Sequence, residues 1–474
     1  MLGDAALYFM SIFTKSKLEN ALFLVFFALL IIFGATYFIH SSELWSVYIA
    51  KNLFTADYFS SVSLKPLFHF LLYLFHLIPL TDVEHLHLVK SVFAILGSLQ
   101  FILIWKIFSK HSIVQNKILS HLVFFTFAIC SSVFLQNYFR IRSDQVCATL
   151  FLFFIYINAS KKLSLKYNFV FLAIYPLIAI KGILFSLLQL CHILISYKKE
   201  VLLRKYIHLS VLALIALLLS VINFSWDGVI YFLQTTNSFA ESYASLKNWI
   251  LGDFLIVAVS LFSLFYISYQ KWTLKIFNIN ISILSIFAVI IVILFPQKHT
   301  YFIASFVPLL VLNSMLFAIY IINNYFKSEH YIKAVSLLFL LFLTFNCFQL
   351  YNTSVYRSNF SQFKFIRFIA PIIALNNLSY IDGIGALPRA NNLNCFVSPN
   401  DTISNNYCLD LVLNGKPDIV ILSSRLMSLI GPDEFLKNYY SHFGYNIFFK
   451  KDFDSHFTAP KDLSPALLVF GFEW

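Results

Sequence analysis

The residues of this chain that could do chemistry are few, and most stand at the ends of apolar runs. Glu43 and Lys65 follow the first long run. Arg140, Arg142 and Asp144 fall in "NYFRIRSDQVCATLFLF", Lys181 interrupts "AIYPLIAIKGILFSLL", and Lys298 and His299 sit in "LFPQKHTYFIASFVPLL". Ionisable groups at membrane depth are costly unless they face a cavity or a partner. Basic groups gathered on one face of one bundle therefore point to an anionic ligand whose phosphate lies at headgroup level. Lys65, Arg142 and Lys181 suit such a phosphate, with Lys298 and His299 as further candidates, and Glu43 and Asp144 are the carboxylates able to take a proton. Plainer readings stand beside these. A lone Lys51 or Lys247 is a helix-end side chain that snorkels to water. Arg140, Arg142 and Asp144 can pair with one another. His85 and His87 in "DVEHLHLVK" read as solvated loop residues, since two histidines at that spacing without a second cluster make no metal site.

The elements that must position these groups are read from composition. Of 474 residues, 59% are hydrophobic and only 12% charged, so most of the chain has to be solvated by lipid. The net charge of +12 does not indicate nucleic acid, because the basic residues form short clusters between apolar runs. Apolar segments recur near 20–39, 86–108, 118–136, 144–160, 167–180, 183–197, 206–223, 251–270, 276–295, 300–322 and 334–350. The first lacks a small-residue cleavage site and reads as a retained helix. If each segment crosses once, the basic clusters at Lys15/Lys17, Lys106/Lys110/Lys117, Lys161/Lys162/Lys166, Lys198/Lys199/Arg204/Lys205, Lys271/Lys275 and Lys327/Lys333 share the cytoplasmic side. That register requires residues 66–80, short and bounded by prolines, to form an interfacial or re-entrant helix.

The expected fold is thus an α-helical polytopic membrane protein of about eleven transmembrane helices plus an interfacial helix. Residues 40–65, 224–250 and the tail lie outside the cytoplasm, and Asp57 and Lys51 are solvated there. The division is a membrane domain over 1–350 and a small extracytoplasmic α/β domain over 351–474, where "DIVILSS" and "ALLVFGF" read as strands and "GPDEFLKNYYSHF" as a helix. The cysteines follow no metal-ligand spacing: Cys130, Cys147, Cys191 and Cys347 are small hydrophobes in apolar runs. An oxidising compartment allows a Cys395–Cys408 disulfide in the tail.

Four local patterns, over roughly residues 20–325, carry a family resemblance. "SSELWSVYIAKNL" and "LKPLF" follow the first helix; "RSDQ" opens a later one; Lys181 and Gly182 break a hydrophobic pair; "KHTYFIASFVPLL" holds Lys298, His299, Tyr301 and Pro308. In this order they resemble integral-membrane glycosyltransferases of the GT-C fold, bacterial relatives of protein mannosyltransferases and lipid A aminoarabinose transferases. The resemblance implies an inverting transferase in the bacterial inner membrane, acting on the extracytoplasmic face, with the N-terminus cytoplasmic. It implies a polyprenyl-phosphate-linked sugar as donor, a glycan, lipid or protein acceptor, membrane lipid as a partner, and no cofactor or metal. Lys65, Arg142, Lys181, Lys298, His299 and Tyr301 would hold the lipid phosphate. The first-loop acid, the family's base, falls to Glu43, while Ser42 stands where the family has Asp. The base is then Glu43, or Asp144, or the chain is an inactive relative kept for binding. A transporter or lipid flippase is a further alternative, though no internal repeat is seen and the charges cluster at one face. A lipid-linked glycan ligase or polymerase would place Arg and His in a large outer loop, and residues 224–250 hold no such cluster.

Overall fold

The computed structural model describes residues 17–55, 65–111, 117–129, 138–160, 165–179, 182–196, 247, 249–251, 253–270, 275–276, 279–294, 305–326, 328–356, 359–390, 393, 395, 397, 402–430, 440–450, 463–466 and 470. The 206–223 segment, most of the 224–250 region, Asp57 and Cys130 lie outside these.

The described chain is largely helical with a small sheet near its C-terminus. Helices α1 (Lys17–Thr36), α2 (Ser41–Ala50), α3 (Pro66–His76) and α4 (Asp82–His111) open it, followed by α5 (Lys117–Ile129), α6 (Ser143–Ser160), α7 (Leu165–Ile178) and α8 (Gly182–Ser196). After α9 (Phe254–Gln270), a two-residue ladder of β1 (Lys275–Ile276) and β2 (Ile279–Asn280) leads to α10 (Ile281–Leu294), α11 (Val307–Tyr325) and α12 (Glu329–Tyr356). Among the described residues, three stretches are long and apolar enough to cross a membrane: Asp82–Ser109, Val307–Tyr325 and His330–Phe348. The second is 72% buried and the third 0%, so α11 runs through the interior while α12 lies at the periphery and offers its apolar surface outward. The remaining apolar helices are shorter over their described residues.

Helix α3 is short and two-faced. Pro66 begins it at the first turn, where the missing N–H costs nothing, and Lys65 is its N-cap. Phe68, His69 and Leu72 are buried while Phe70, Leu71 and Leu74 are exposed. One stripe packs on α2 and α4, and the other presents hydrocarbon.

Helix α4 starts earlier than an apolar count suggests, which corrects the reading of His85 and His87 as loop residues. Thr81 and Glu84 form a capping box: Glu84 Oε2 accepts from the Thr81 N–H (2.9 Å) and hydroxyl (2.8 Å). Both histidines are therefore helical. His85 is fully buried with its ring centroid 4.2 Å from that of His76, tilted by 35°, and the His87 ring centroid lies 3.8 Å from that of Phe363. Helix α4 packs on α1 and α6. At Gly97 any Cβ would sit 2.5 Å from the Tyr138 carbonyl oxygen, so the segment before α6 reaches the helix only because this residue is glycine. Gly182 plays the same part between α8 and α7, where a Cβ would collide with the Tyr175 carbonyl.

The C-terminal part begins with α13 (Phe360–Leu375) and continues through β3 (Tyr380–Ile381), α14 (Thr402–Leu413), β4 (Ile419–Ile421), α15 (Ser424–Ile430), β5 (Tyr440–Gly444) and β6 (Ile447–Lys450). The sheet order is β3-β4-β6-β5, parallel between β3 and β4 and antiparallel elsewhere. "DIVILSS" supplies β4. One local expectation is corrected. "YSHF", read as a helix end, is strand β5, because it pairs with β6 through a tight turn at Tyr445 (φ 56°) and Asn446 (φ 62°). Both positive φ values match the twist of a two-residue hairpin. Of "ALLVFGF", read as a strand, all but Ala466 and Phe470 lies outside the described residues; the Phe470 N–H donates to the Ala466 carbonyl (3.0 Å). Cys395 and Cys408 are joined by a disulfide, with Cα atoms 5.2 Å apart.

Candidate functional site

The site is built where the chain leaves α1 and enters α2. His40 caps α2 through its carbonyl, which accepts from the Glu43 (2.9 Å) and Leu44 (3.0 Å) N–H groups. Glu43 thus lies in the first helical turn, where the dipole favours an anion. Its side chain is fully buried. The Lys90 ammonium, from α4, approaches Oε2 at 3.5 Å, and Arg140 Nε approaches Oε1 at 3.9 Å. Lys90 is also fully buried. It donates to the Phe139 carbonyl (2.8 Å) and stands 5.7 Å from the Tyr37 ring centroid.

The arm that carries Arg140 is fastened to α4 by side chains as well as by the glycine contact. Gln145 Nε2 donates to the Phe93 carbonyl (3.1 Å), and Gln100 Nε2 donates to the Gln145 carbonyl (3.3 Å). Two residues beyond Arg140, Arg142 Nε pairs with Asp144 Oδ2 at 3.5 Å; their side chains are 17% and 11% exposed, against 0% for Glu43 and Lys90. Glu43 and Lys90 are fully enclosed, whereas Arg140, Arg142 and Asp144 each keep a small exposed fraction.

Charge bookkeeping follows from these contacts. Glu43, Lys90 and Arg140 carry one negative and two positive charges, and Arg142 and Asp144 cancel. Low dielectric strengthens each attraction within this enclosed group.

The structure brings Glu43 together with Arg140, and Arg142 with Asp144. Lys65 caps α3, its ammonium 6.0 Å from the Phe68 ring. Burial, with Lys65 adding to it, pushes the His69 imidazole well below its ordinary range, so the residue is a neutral neighbour of that lysine. Lys181, Lys298, His299 and Tyr301 lie outside the described residues. Lys90 is the residue that sequence reasoning missed. Its signal was present, as a lysine inside the apolar 86–108 segment, the kind of intramembrane charge that asks for a partner.

Lys51 is a second correction. Instead of a solvated position, it is a docking contact for the C-terminal part. Its ammonium donates to the Ala390 carbonyl (2.8 Å) and lies 4.1 Å from the Tyr48 ring centroid. Burial lowers it to about 8, with Asp82 opposing. Next to it, the Arg389 N–H donates to Asp82 Oδ1 (2.7 Å) and its guanidinium to the His76 (3.3 Å) and Ile78 carbonyls. Burial also takes His76 down to about 4, against the raising effect of the Val47 carbonyl. The ring is neutral, and its Nε2, 2.8 Å from that carbonyl, must be the protonated nitrogen. Gly385, with φ +69°, adopts a conformation open to glycine, and a Cβ there would meet Tyr48 at 2.7 Å. At the other end, Gln362 clasps Ile39, accepting from its N–H (2.9 Å) and donating to its carbonyl (2.8 Å). Helix α2, which presents Glu43, is therefore held at both ends by the C-terminal part.

No family model, no curated protein and no solved structure matches this chain. Among the described residues no group of three or more His, Cys, Asp or Glu is placed to hold a metal ion.

Proposed function

We propose that the chain is an integral-membrane glycosyltransferase of GT-C type, moving a sugar from a polyprenyl-phosphate donor to a hydroxyl acceptor at the extracytoplasmic face of a bacterial inner membrane. The observation that carries this reading is the buried Glu43–Lys90–Arg140 group, with the Arg142–Asp144 pair two residues beyond Arg140 in the chain. The supporting architecture is a long first helix, a short helix with an acid in its first turn, and a proline-started helix capped by Lys65.

In this proposal the acceptor hydroxyl oxygen attacks the anomeric carbon as the bond from that carbon to the phosphate oxygen breaks. The lipid monophosphate leaves with the bonding pair, and the hydroxyl proton passes to a carboxylate, so the configuration inverts. Arg140 and Arg142 take up the phosphate charge. Lys65, Lys181, Lys298, His299 and Tyr301 join them by resemblance. The proton falls to Asp144 rather than Glu43, because the Asp144 side chain keeps an exposed fraction whereas Glu43 is fully enclosed beside Lys90 and Arg140. A monophosphate leaving group is handled by such cations, and the proposal uses no metal.

A second reading, a relative that binds the lipid without transferring sugar, is favoured by Ser42 at the family's Asp position and by the sealed state of Glu43. One experiment separates the two. Purified full-length protein, incubated with a polyprenyl-phosphate sugar and a pool of envelope glycan acceptors, is expected to release lipid monophosphate. Donor binding without release supports the second reading, and no binding overturns both.

A further inference from the structure

We infer that His76 and the 382–390 loop form an acid-sensitive latch: a proton on this ring gathers three cations at the junction and releases the loop from helices α2, α3 and α4. The inference stands apart from the proposed function, because it concerns only how the C-terminal part is held.

The loop is a preformed piece. The Asp382 carboxylate accepts from the N–H groups of Ile384 (3.0 Å), Gly385 (2.8 Å) and Ala386 (2.7 Å), and the Tyr380 hydroxyl bonds both backbone groups of Leu387. It meets the helices through Gly385 on Tyr48, Ala390 on Lys51, and Arg389 on Asp82, His76 and Ile78. His76 ties these elements together. Its carbonyl accepts from the Arg389 guanidinium, its Nε2–H donates to Val47 of α2, and its ring centroid lies 4.2 Å from that of His85 on α4. With Nε2 committed to Val47, Nδ1 is the atom that takes a further proton.

The groups around the ring leave such a proton without a counter-charge. Lys51 faces it from the end of α2, Arg389 from the loop, and Asp82 and His85 from α4. Tyr48 and Tyr380, also nearby, are phenols, neutral at and below pH 7. Two cations are thus already set against one carboxylate, and Asp82 is engaged by the Arg389 N–H. His85 is fully buried with neither ring nitrogen hydrogen-bonded, so it supplies no negative charge. Lifting the loop withdraws Arg389, breaks the bond from Lys51 to Ala390 and lets water reach His76. A proton on His76 therefore favours the lifted state.

The sign follows from the docked ring. Burial, aided by Arg389 and Lys51 and opposed by the Val47 carbonyl, takes His76 from 6.5 to about 4. The lifted state holds more protons between those values, so docking weakens as pH falls through that window. Asp82, raised by burial from its ordinary 3.8, works the other way at the acid end, so the useful range stops at about pH 5.

The test uses the full-length chain in detergent and hydroxyl-radical footprinting read by peptide mass, with helix content as the folding control. Tyr48 and Leu387, 1% and 0% exposed, report on the loop. Ile39, at the Gln362 clasp, is the reference, since that clasp contains no ionisable group. In wild type, oxidation of Tyr48 and Leu387 is expected to rise roughly 20-fold between about pH 7 and about pH 5, with Ile39 unchanged. His76→Gln keeps an N–H for the Val47 carbonyl but cannot gain a proton, and its rise should stay under about threefold. No rise in wild type, an equal rise in His76→Gln, or a parallel rise at Ile39 overturns the inference. Should His76→Gln not fold, deuterium exchange at the His76 ring C2 in wild type decides: a midpoint well below 6.5 is expected, and one at 6.5 overturns the latch.

Discussion

The Lys90 ammonium lies 3.5 Å from the Glu43 carboxylate, and both side chains are completely enclosed. Such a pair adds little net stability over a well-packed apolar one, but losing half of it is severe. Glu43→Gln should therefore destabilise the protein by ~3–5 kcal/mol, because the enclosed Lys90 loses its counter-ion. Chemical unfolding in detergent should show the double variant with Lys90→Met costing clearly less than the sum of the two single changes.

Asp144 is assigned the proton of the acceptor hydroxyl. Asp144→Asn is expected to lower release of lipid monophosphate by ~10²–10⁴-fold, the range for a lost general base. Binding of the donor should persist, so kcat falls while retention of lipid on the protein does not. An Asn variant with wild-type turnover removes Asp144 from the mechanism.

Gln362 serves both backbone groups of Ile39, which is itself 1% exposed. Gln362→Leu leaves a buried donor and a buried acceptor without partners, each worth ~1–3 kcal/mol. The expected result is a lowered unfolding midpoint together with weakened phosphate binding, because Ile39 leads directly into the turn that presents Glu43.

Gly97 faces a backbone carbonyl, which cannot step aside as a side-chain tip can. Gly97→Ala should cost ~1–3 kcal/mol through overpacking. Phenylglyoxal labelling of Arg140 should change in the same variant, as the 138–140 segment is pushed off α4.

Lys51 offers a pH measurement. Its ammonium is lowered to about 8 by burial, with Asp82 opposing, from an ordinary 10.5. Below about 8 both folded and unfolded chains hold the proton and no slope arises. Between 8 and 10.5 the unfolded chain holds a proton that the folded chain has lost, so this lysine makes stability rise with pH across that window. Competitive acetylation followed by peptide mass should give Lys51 a midpoint near 8; a midpoint near 10.5 would place it in open water.

Much of this architecture can be read locally. The helix at Pro66 is announced by Lys65-Pro66 and the apolar run behind it, and the depth of Glu43 follows from its place after the first apolar segment. The start of α4 was legible too, in the Thr81 and Glu84 spacing, but an apolar count overlooks a cap. Strand β5 was not legible, because "DEFLKNYYSHF" has a helical look and its strand state depends on pairing with β6. The pairing of Lys90 with Glu43 is also beyond local reading. Each residue alone is a costly charge in an apolar setting, and only the packing of α4 against the α1–α2 corner makes them neighbours.

The clasp between Gln362 and Ile39 joins residues 323 positions apart. At ~5–20 residues per second, a ribosome takes roughly 16–65 s to travel between them. Throughout that interval the segment presenting Glu43 has been synthesised, while the amide that will hold it has not been made. The pocket is therefore assembled late, after nearly every membrane helix has been synthesised, and a nascent chain stalled before residue 362 would carry the charged residues without the frame that aligns them. The alignment of Glu43 should then depend on chains extended past residue 362 rather than being built up helix by helix.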